Sequence, residues 1–180
     1  KLRQTNTDWF KELLRNDFYQ RHNLSVRGGN SKTSYYASAN YSYQGGQVPG
    51  NDVNRFTGRM SLDQAVGTKG YVSLSVSGGY SKANSPNGST YSPTSLIYEL
   101  NPYESKTSGE LWSYPNRTYN DLVYQFDRTS KEKRFGTTAS LNLEPIQGLT
   151  IGAVAGLDFV LSESLEFTPS TAYEEQRSGA

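Results

Sequence analysis

The sequence predicts an all-β protein: an antiparallel transmembrane β-barrel segment of about six strands from a larger barrel, preceded by one short helix. Three observations predict it. Six stretches alternate so strictly that each separates into an apolar set free of charge and a set of Ser, Thr, Asn, Gly and scattered charges. The connectors between them run short, long, short, long, short. No stretch approaches the roughly 20 apolar residues of a membrane-spanning helix, so any crossing must be made by strands.

The chain opens with Thr7 to Arg15, which reads as a short amphipathic helix. Thr7 is the expected N-cap, Asp8 suits the positive end of the helix dipole, and Trp9 with Leu13 and Phe10 with Leu14 pair at i, i+4. That apolar face requires a docking surface. Residues 1–20 are accordingly a connector with a short helix, and 21–180 a partial barrel wall carrying a long external loop, 82–133.

The first strand, Asn23 to Arg27, sets Leu24 and Val26 against Asn23, Ser25 and Arg27. In the second, Tyr35, Ala37, Ala39, Tyr41 and Tyr43 oppose Ser34, Tyr36, Ser38, Asn40 and Ser42. The third places Phe56, Gly58, Met60 and Leu62 opposite Arg55, Thr57, Arg59, Ser61 and Asp63. In the fourth, Val72, Leu74, Val76, Gly78 and Tyr80 face away from Tyr71, Ser73, Ser75, Ser77 and Gly79. The fifth sets Phe135, Thr137, Ala139, Leu141 and Leu143 against Arg134, Gly136, Thr138, Ser140, Asn142 and Glu144. The sixth carries Leu149, Ile151, Ala153, Ala155, Leu157 and Phe159 on one side. Side chains in a strand alternate between faces, so the two sets meet two solvents. Val72, Leu74, Val76, Leu141 and Ile151 are the expected lipid-facing residues.

Outer-membrane barrels keep short turns at the periplasmic rim and long loops outside, which orients the connectors. Gly28 to Lys32, Gln64 to Gly70 and Pro145 to Gly148 belong to the periplasmic rim, while Gln44 to Asn54 and Lys82 to Lys133 lie outside. Tyr41, Tyr43, Phe56, Tyr80, Phe135 and Phe159 share the apolar parity near the long-loop ends, and form the expected aromatic girdle as one ring. Tyr35 is the candidate for the opposite girdle. The same alternation would suit a soluble antiparallel sandwich, but the many Ala and Gly residues on the apolar face fill a core poorly and suit a lipid-facing wall.

A net charge of +1 from 18 basic and 17 acidic residues, with no basic run among aromatics, argues against nucleic acid. With no cysteine and the single histidine His22, neither a metal centre nor redox chemistry is expected, and no cofactor. Asn51-Asp52 in the Gly-rich loop could touch calcium, but its one carboxylate does not make a site by itself, and the Asn87-Gly88-Ser89 triplet reads as a turn. Six strands fall short of the smallest closed barrels, and the first residue is Lys, so the segment is expected to continue into a longer polypeptide.

Asn6-Thr7-Asp8-Trp9, the run from Phe10 to Gly46 with its His22-Asn23-Leu24-Ser25-Val26 strand, tight Lys32-Thr33 turn and Tyr-rich strand, and Arg55 to Asp63 together resemble the SusC/RagA family of TonB-dependent outer-membrane transporters. The likeness spans most of residues 6–82, with Arg27 standing where that family usually has a small polar residue. Leu100-Asn101-Pro102-Tyr103 and the Glu144-Pro145 to Thr150 turn resemble it more weakly. The resemblance implies a barrel of about 22 strands with an internal plug, in the bacterial outer membrane. It implies import of glycan fragments or oligopeptides energised by TonB, under a SusD-like lipoprotein lid, with no enzymatic step. This chain would supply roughly the second to the seventh strand.

In that frame the helix is a plug-to-barrel connector, with gating as the alternative. Arg55, Arg59, Asp63, Arg134, Glu144 and Asp158 are inward charges that meet a plug or line a watery lumen. Glu144 and Asp158 stand too far apart along the wall for a catalytic carboxylate pair, and no catalytic residue is expected. Tyr91, Tyr98, Tyr103, Trp112, Tyr114, Tyr119, Tyr124 and Phe126 crowd the long connector; these rings pack a small core or a lid, while Trp112, Tyr114, Tyr119 and Tyr124 are candidates for ligand or lid contact. A second function from another class, a soluble carbohydrate-binding or adhesive β-module, would use the same rings.

Overall fold

A computed structural model describes residues 5–86, 92–104 and 113–172, with the backbone alone for Tyr114, Leu122 and Tyr124. Strands β1 (Tyr19–Gly29), β2 (Thr33–Gly45), β3 (Asp52–Val66), β4 (Gly70–Asn84), β5 (Asp127–Ile146) and β6 (Leu149–Phe167) each pair antiparallel with the next. They form one sheet in the order β1-β2-β3-β4-β5-β6, which is not closed: β1 and β6 are both edges.

Every strand is longer than its alternating stretch. The expected boundaries marked only where one face must be apolar, whereas the backbone ladder continues past that point with polar side chains on both faces. β5 and β6, of 20 and 19 residues, exceed the roughly 9–11 needed to cross a bilayer as tilted strands, so their long-loop ends extend beyond an apolar layer. The long connector is correspondingly shorter than expected, running over 85–126 rather than 82–133.

The tight turns lie together at one rim. Between β1 and β2, Asn30 Oδ1 accepts from Lys32 N at 2.8 Å and Thr33 N at 2.9 Å, a side-chain substitute for a backbone turn. Between β5 and β6, Ile146 pairs with Leu149 across Gln147-Gly148 alone, and Gly148 adopts φ 83°, a conformation that a residue with a Cβ resists. A bulge between Leu143 and Ile146 absorbs Pro145, which has no N–H for the ladder.

The apolar core lies at the other rim and contains no strand residue. Helix α1 (Trp9–Leu13), the β2–β3 loop, and the connector helices α2 (Pro93–Leu96) and α3 (Tyr114–Tyr124) converge there. Trp9, Leu13, Val48, Leu96, Ile97, Leu100, Tyr119 and Val123 are buried together, with Phe126 packed on them. Hydrogen bonds tie the parts: Trp9 Nε1 donates to Asn101 O at 2.8 Å, Thr7 Oγ1 to Glu104 O at 2.7 Å, and Arg15 N to Gln47 O at 2.9 Å. The Glu104 carboxylate accepts from Ser113 N and Ser113 Oγ, fixing the start of α3.

Two expectations change here. The N-cap of α1 is Asp8, whose Oδ1 accepts from Lys11 N, because the Thr7 hydroxyl is drawn off to Glu104. The helix is also shorter than Thr7 to Arg15, and of its two apolar pairs only Trp9 and Leu13 are buried. Phe10 stays exposed and meets Tyr98 edge-on at 5.6 Å.

Leu96 has no exposed surface, so in the full-length protein Leu96→Ala should destabilise this cap by about 2–5 kcal/mol. Limited proteolysis should then cut within 85–126 faster, with the strands' thermal transition unmoved. A matching loss of the strands would contradict a core separate from the sheet.

Candidate functional site

The candidate site is the sheet itself, read across its register. On one face, Leu62, Leu74, Ala139 and Ala155 lie in one cross-strand row, Met60, Val76, Thr137 and Leu157 in the next, and Val72, Leu141 and Ala153 in a third. Ile151 pairs with Leu143. No element among the described residues covers this face: Leu74 is 42% exposed, Ile151 55% and Met60 66%. Among the described residues, Thr129 is the only buried position in any of the strands. An aliphatic sheet face without a second layer is an unfinished interface in water and a finished one in hydrocarbon.

The aromatic residues share this face in a stepped band rather than one row. Tyr41, Phe56 and Tyr80 are in line, Tyr43 lies one row further toward the long loops, and the Phe135–Phe159 pair sits opposite Gly78, one row nearer the tight turns. A level ring on tilted strands must step through the register in this way. Tyr41 Oη donates to Asn54 Oδ1 at 3.0 Å, which points the phenol toward the loop rim. A ring with its hydroxyl directed out of an apolar belt suits a lipid interface. At the opposite rim, Tyr35 pairs with Leu62 and its ring lies over Gly28.

The other face is polar. Ser25, Ser38, Arg59, Ser77, Gly136 and Asp158 form one row; Arg21, Ser42, Arg55, Ser81 and Glu132 another; Asn23, Asn40, Thr57, Gly79 and Arg134 lie between them. A shallow groove of about 430 Å³ runs among Arg21, Arg59 and Arg134. Arg134 Nε donates to Glu132 Oε1 at 2.6 Å and Arg21 Nε to Asn40 Oδ1 at 2.9 Å. The Asp158 carboxylate lies over Gly136, where a Cβ would fall 2.6 Å from its Oδ1. Asp63 accepts from Ser34 Oγ at 3.2 Å.

Arg55, Arg59, Asp63, Arg134 and Asp158 therefore share one face, as their parity required. Arg21 and Glu132 join them, missed because the expected strands began at Asn23 and Arg134; continuing the alternation by two residues at each end would have found both. Glu144 sits at the rim, accepting from Gly148 N at 3.1 Å, far from Asp158 opposite Gly136. Asp52 is held by the side-chain amides of Asn84 and Asn54.

The connector rings fare differently from one another. Tyr119 is buried at 5% exposure in the cap core, which leaves its ring little surface for a ligand. Tyr114 and Tyr124 lie on α3, their side chains outside the described set, and Trp112 and Tyr91 lie outside the described residues. Tyr98 and Tyr103 are exposed.

No family model matches the chain. Over 76 residues it is 34% identical to TonB-dependent receptor P3 of Formosa agariphila, a match covering 42% of this chain and 8% of that receptor. In fold it is similar to a chain of the RagAB peptide transporter, with a TM-score of 0.74 at 23% identity. It is likewise similar to the RagAB peptide importer in its closed-closed state, with a TM-score of 0.73 at 21% identity. Each structural match covers 93% of this chain and 20% of the other. The chain thus spans a small part of the length of these relatives, and the six-stranded sheet matches part of a barrel fold. The sequence match is thus to a TonB-dependent receptor, and the structural matches share the fold of a RagAB transporter chain, both in keeping with the resemblance to SusC/RagA-type TonB-dependent transporters.

The two faces make a direct prediction. Leu74→Arg and Leu141→Arg should each destabilise the membrane-inserted full-length protein by about 2–4 kcal/mol, whereas Ser75→Arg, on the polar face, should have a much smaller effect. Denaturant titration in lipid vesicles measures this, and equal losses at positions 74 and 75 would refute the assignment of faces.

Proposed function

We propose that this chain forms six consecutive wall strands of a TonB-dependent transporter in the bacterial outer membrane, of the SusC/RagA kind. The observation that carries the reading is the uncovered apolar face backed by a polar, arginine-bearing one, with tight turns and long connectors sorted to opposite rims. The apolar face, with Val72, Leu74, Val76, Leu141 and Ile151, meets hydrocarbon. The band from Tyr41 to Phe159 marks the outer headgroup level. The polar face lines the barrel, where Arg55, Arg59, Asp63, Arg134 and Asp158 engage a plug supplied by sequence outside this segment.

The function is uptake of a nutrient too large for open diffusion, such as a glycan fragment or an oligopeptide, driven by TonB through that plug. The cap at the long-loop rim is the part of the segment nearest a surface lipoprotein of the SusD kind, and its exposed Tyr98 and Tyr103 are the rings available to such a lid or to arriving substrate. The wall contributes no chemical step. Its work is to hold a closed hydrogen-bonded ladder in lipid while the interior rearranges.

A soluble carbohydrate-binding or adhesive module would need a second layer over Leu62, Leu74, Val76 and Leu141, and the described residues supply none. The full-length protein should partition with outer membranes, migrate faster on gels before boiling than after, and support substrate uptake that stops when tonB is deleted. Recovery in the aqueous fraction with no heat-dependent migration would overturn the transporter reading.

A further inference from the structure

The polar face gathers its arginines around one bare stretch of backbone. Two shallow hollows, of about 430 and 300 Å³, adjoin there and share Thr57, Gly79 and Arg134. Arg21 and Arg59 line the larger and Arg55 the smaller. Gly79 stands in one row with Thr57 and Arg134, and the polar rows on either side of it carry Arg55 and Arg59. Glycine is not required at position 79. Its φ is not positive, and a Cβ would meet Thr57 Cγ2 at 3.5 Å and Phe56 O at 3.6 Å, which are ordinary contacts. Gly136, in the next polar row, differs, because a Cβ there would strike the Asp158 carboxylate. A strand glycine that the fold does not demand leaves its backbone open to close approach by another molecule.

The charge around Gly79 is not balanced by its neighbours. All four guanidiniums are exposed. Glu132, in the row of Arg55, is held by Arg134 through Nε at 2.6 Å and Nη2 at 3.3 Å. Asp158, in the row of Arg59, stands three strands away, about 14 Å. The next polar row toward the long loops, from Gln44 through Val53, Ala83 and Ser130 to Ser164, has no charge, and the next toward the tight turns adds Arg27. Arg55 and Arg59 make no salt bridge or side-chain hydrogen bond among the described residues. The patch also has a definite depth: Asn40, Thr57 and Gly79 are the sequence neighbours of Tyr41, Phe56 and Tyr80, so it lies behind the aromatic band. A molecule entering from the long-loop rim would pass it before reaching the tight-turn half of the wall.

We propose that Arg21, Arg55, Arg59 and Arg134 form an oxyanion-binding patch over Gly79 that takes the carboxylate or sulfate groups of an acidic glycan fragment entering the barrel. The inference rests on the transporter reading and gives its cargo a charge. Guanidinium forks bind oxyanions through paired, charge-assisted hydrogen bonds. Between them lie Asn23, Asn40, Thr57 and Ser77, amides and hydroxyls that match sugar hydroxyls. No ring or aliphatic side chain lines the larger hollow, so the apolar side chains of a peptide have nothing to pack on there. Arg55, Arg59 and Arg134 also belong to the set proposed to meet the plug; at this outer level cargo reaches them first, and a plug carboxylate is the competing occupant.

The full-length protein, purified in detergent, would be titrated calorimetrically with oligogalacturonate and its neutral methyl ester, and with carrageenan oligosaccharides before and after desulfation. The charged member of a pair should bind about tenfold tighter at low salt, a difference that fades as salt rises, and the pair that shows it identifies carboxylate or sulfate as the group recognised. R55Q/R59Q, which leaves the Arg134–Glu132 pair intact, should remove the preference, and G79V should weaken binding of the charged member. Equal binding within both pairs overturns the patch, as does a preference that R55Q/R59Q leaves unchanged. Faster proteolysis of the plug in R55Q/R59Q with unaltered glycan binding overturns it in favour of a plug carboxylate, and tighter binding of oligoglutamate than of either glycan overturns it in favour of a peptide. Heat-dependent migration of the same preparations separates the two readings. If it persists without any charge preference, the patch alone fails; if it is absent, the transporter reading fails with it.

Discussion

Everything in this segment follows from the requirement that a strand without a covering layer find partners for its backbone within the sheet alone. In hydrocarbon an unpaired N–H or C=O has no water to turn to, so each must be met by a neighbouring strand. β2, β3, β4 and β5 have ladders on both sides, whereas β1 and β6 each have one free edge. With the backbone satisfied in the plane, the side chains are free to address two media. In the membrane setting proposed above, that makes Ala39, Gly58, Ala139 and Ala155 tolerable on the apolar face: lipid tails adapt to a shallow surface, whereas a packed protein core would be left with voids.

The cap solves a different problem. A connector as long as 85–126 cannot stay ordered on turn chemistry alone. It draws its apolar material from three places in the chain, with Trp9 and Leu13 from the N-terminal segment, Val48 from the β2–β3 loop, and Leu96, Ile97, Leu100, Tyr119 and Val123 from the connector itself. Since none of these belongs to a strand, the cap and wall are separate cores joined end to end. In the transporter proposed above, such a cap would be able to adjust to a lid or a substrate without disturbing the ladder beneath it.

The wall was legible in the sequence because alternation is a local signal: one residue's parity fixes its neighbours' faces, and every expected apolar residue from Leu24 to Phe159 lies on one side of the sheet. The register between strands was not legible, since it depends on turn geometry and stagger. For this reason Phe135 and Phe159 fall one row from Tyr80. Strand ends were also hidden, because Glu132, Lys133 and Arg21 lie where both faces are polar and the ladder alone continues. At α1 the local sequence favours Thr7 as the cap, with Asp8 as a first-turn carboxylate. Only the distant Glu104 carbonyl, which takes the Thr7 hydroxyl, decides for Asp8.

The polar face carries an imbalance that bears on what lies opposite it. Arg21, Arg27, Arg55, Arg59, Arg128 and Arg134 share it with the carboxylates Asp63, Glu132, Asp158 and Glu166, and with Glu144 at the tight-turn rim. The excess lies mid-wall, because Arg128 is already paired with Glu166 at 2.8 Å and Glu144 accepts from Gly148 N. Glu132 is taken by Arg134, and Arg27, Arg55 and Arg59 form no salt bridge among the described residues. Between these arginines run Ser25, Ser38, Ser42, Ser61, Ser75, Ser77 and Ser81, short hydroxyls that hydrate readily and present little relief. Such a surface grips an acidic partner at a few charged points while leaving the ground between them slippery. In the transporter proposed above, a plug that held its place at rest and shifted under force would be better served by a few ionic contacts on a smooth hydrated wall than by an interlocked apolar core, because water can replace each broken pair.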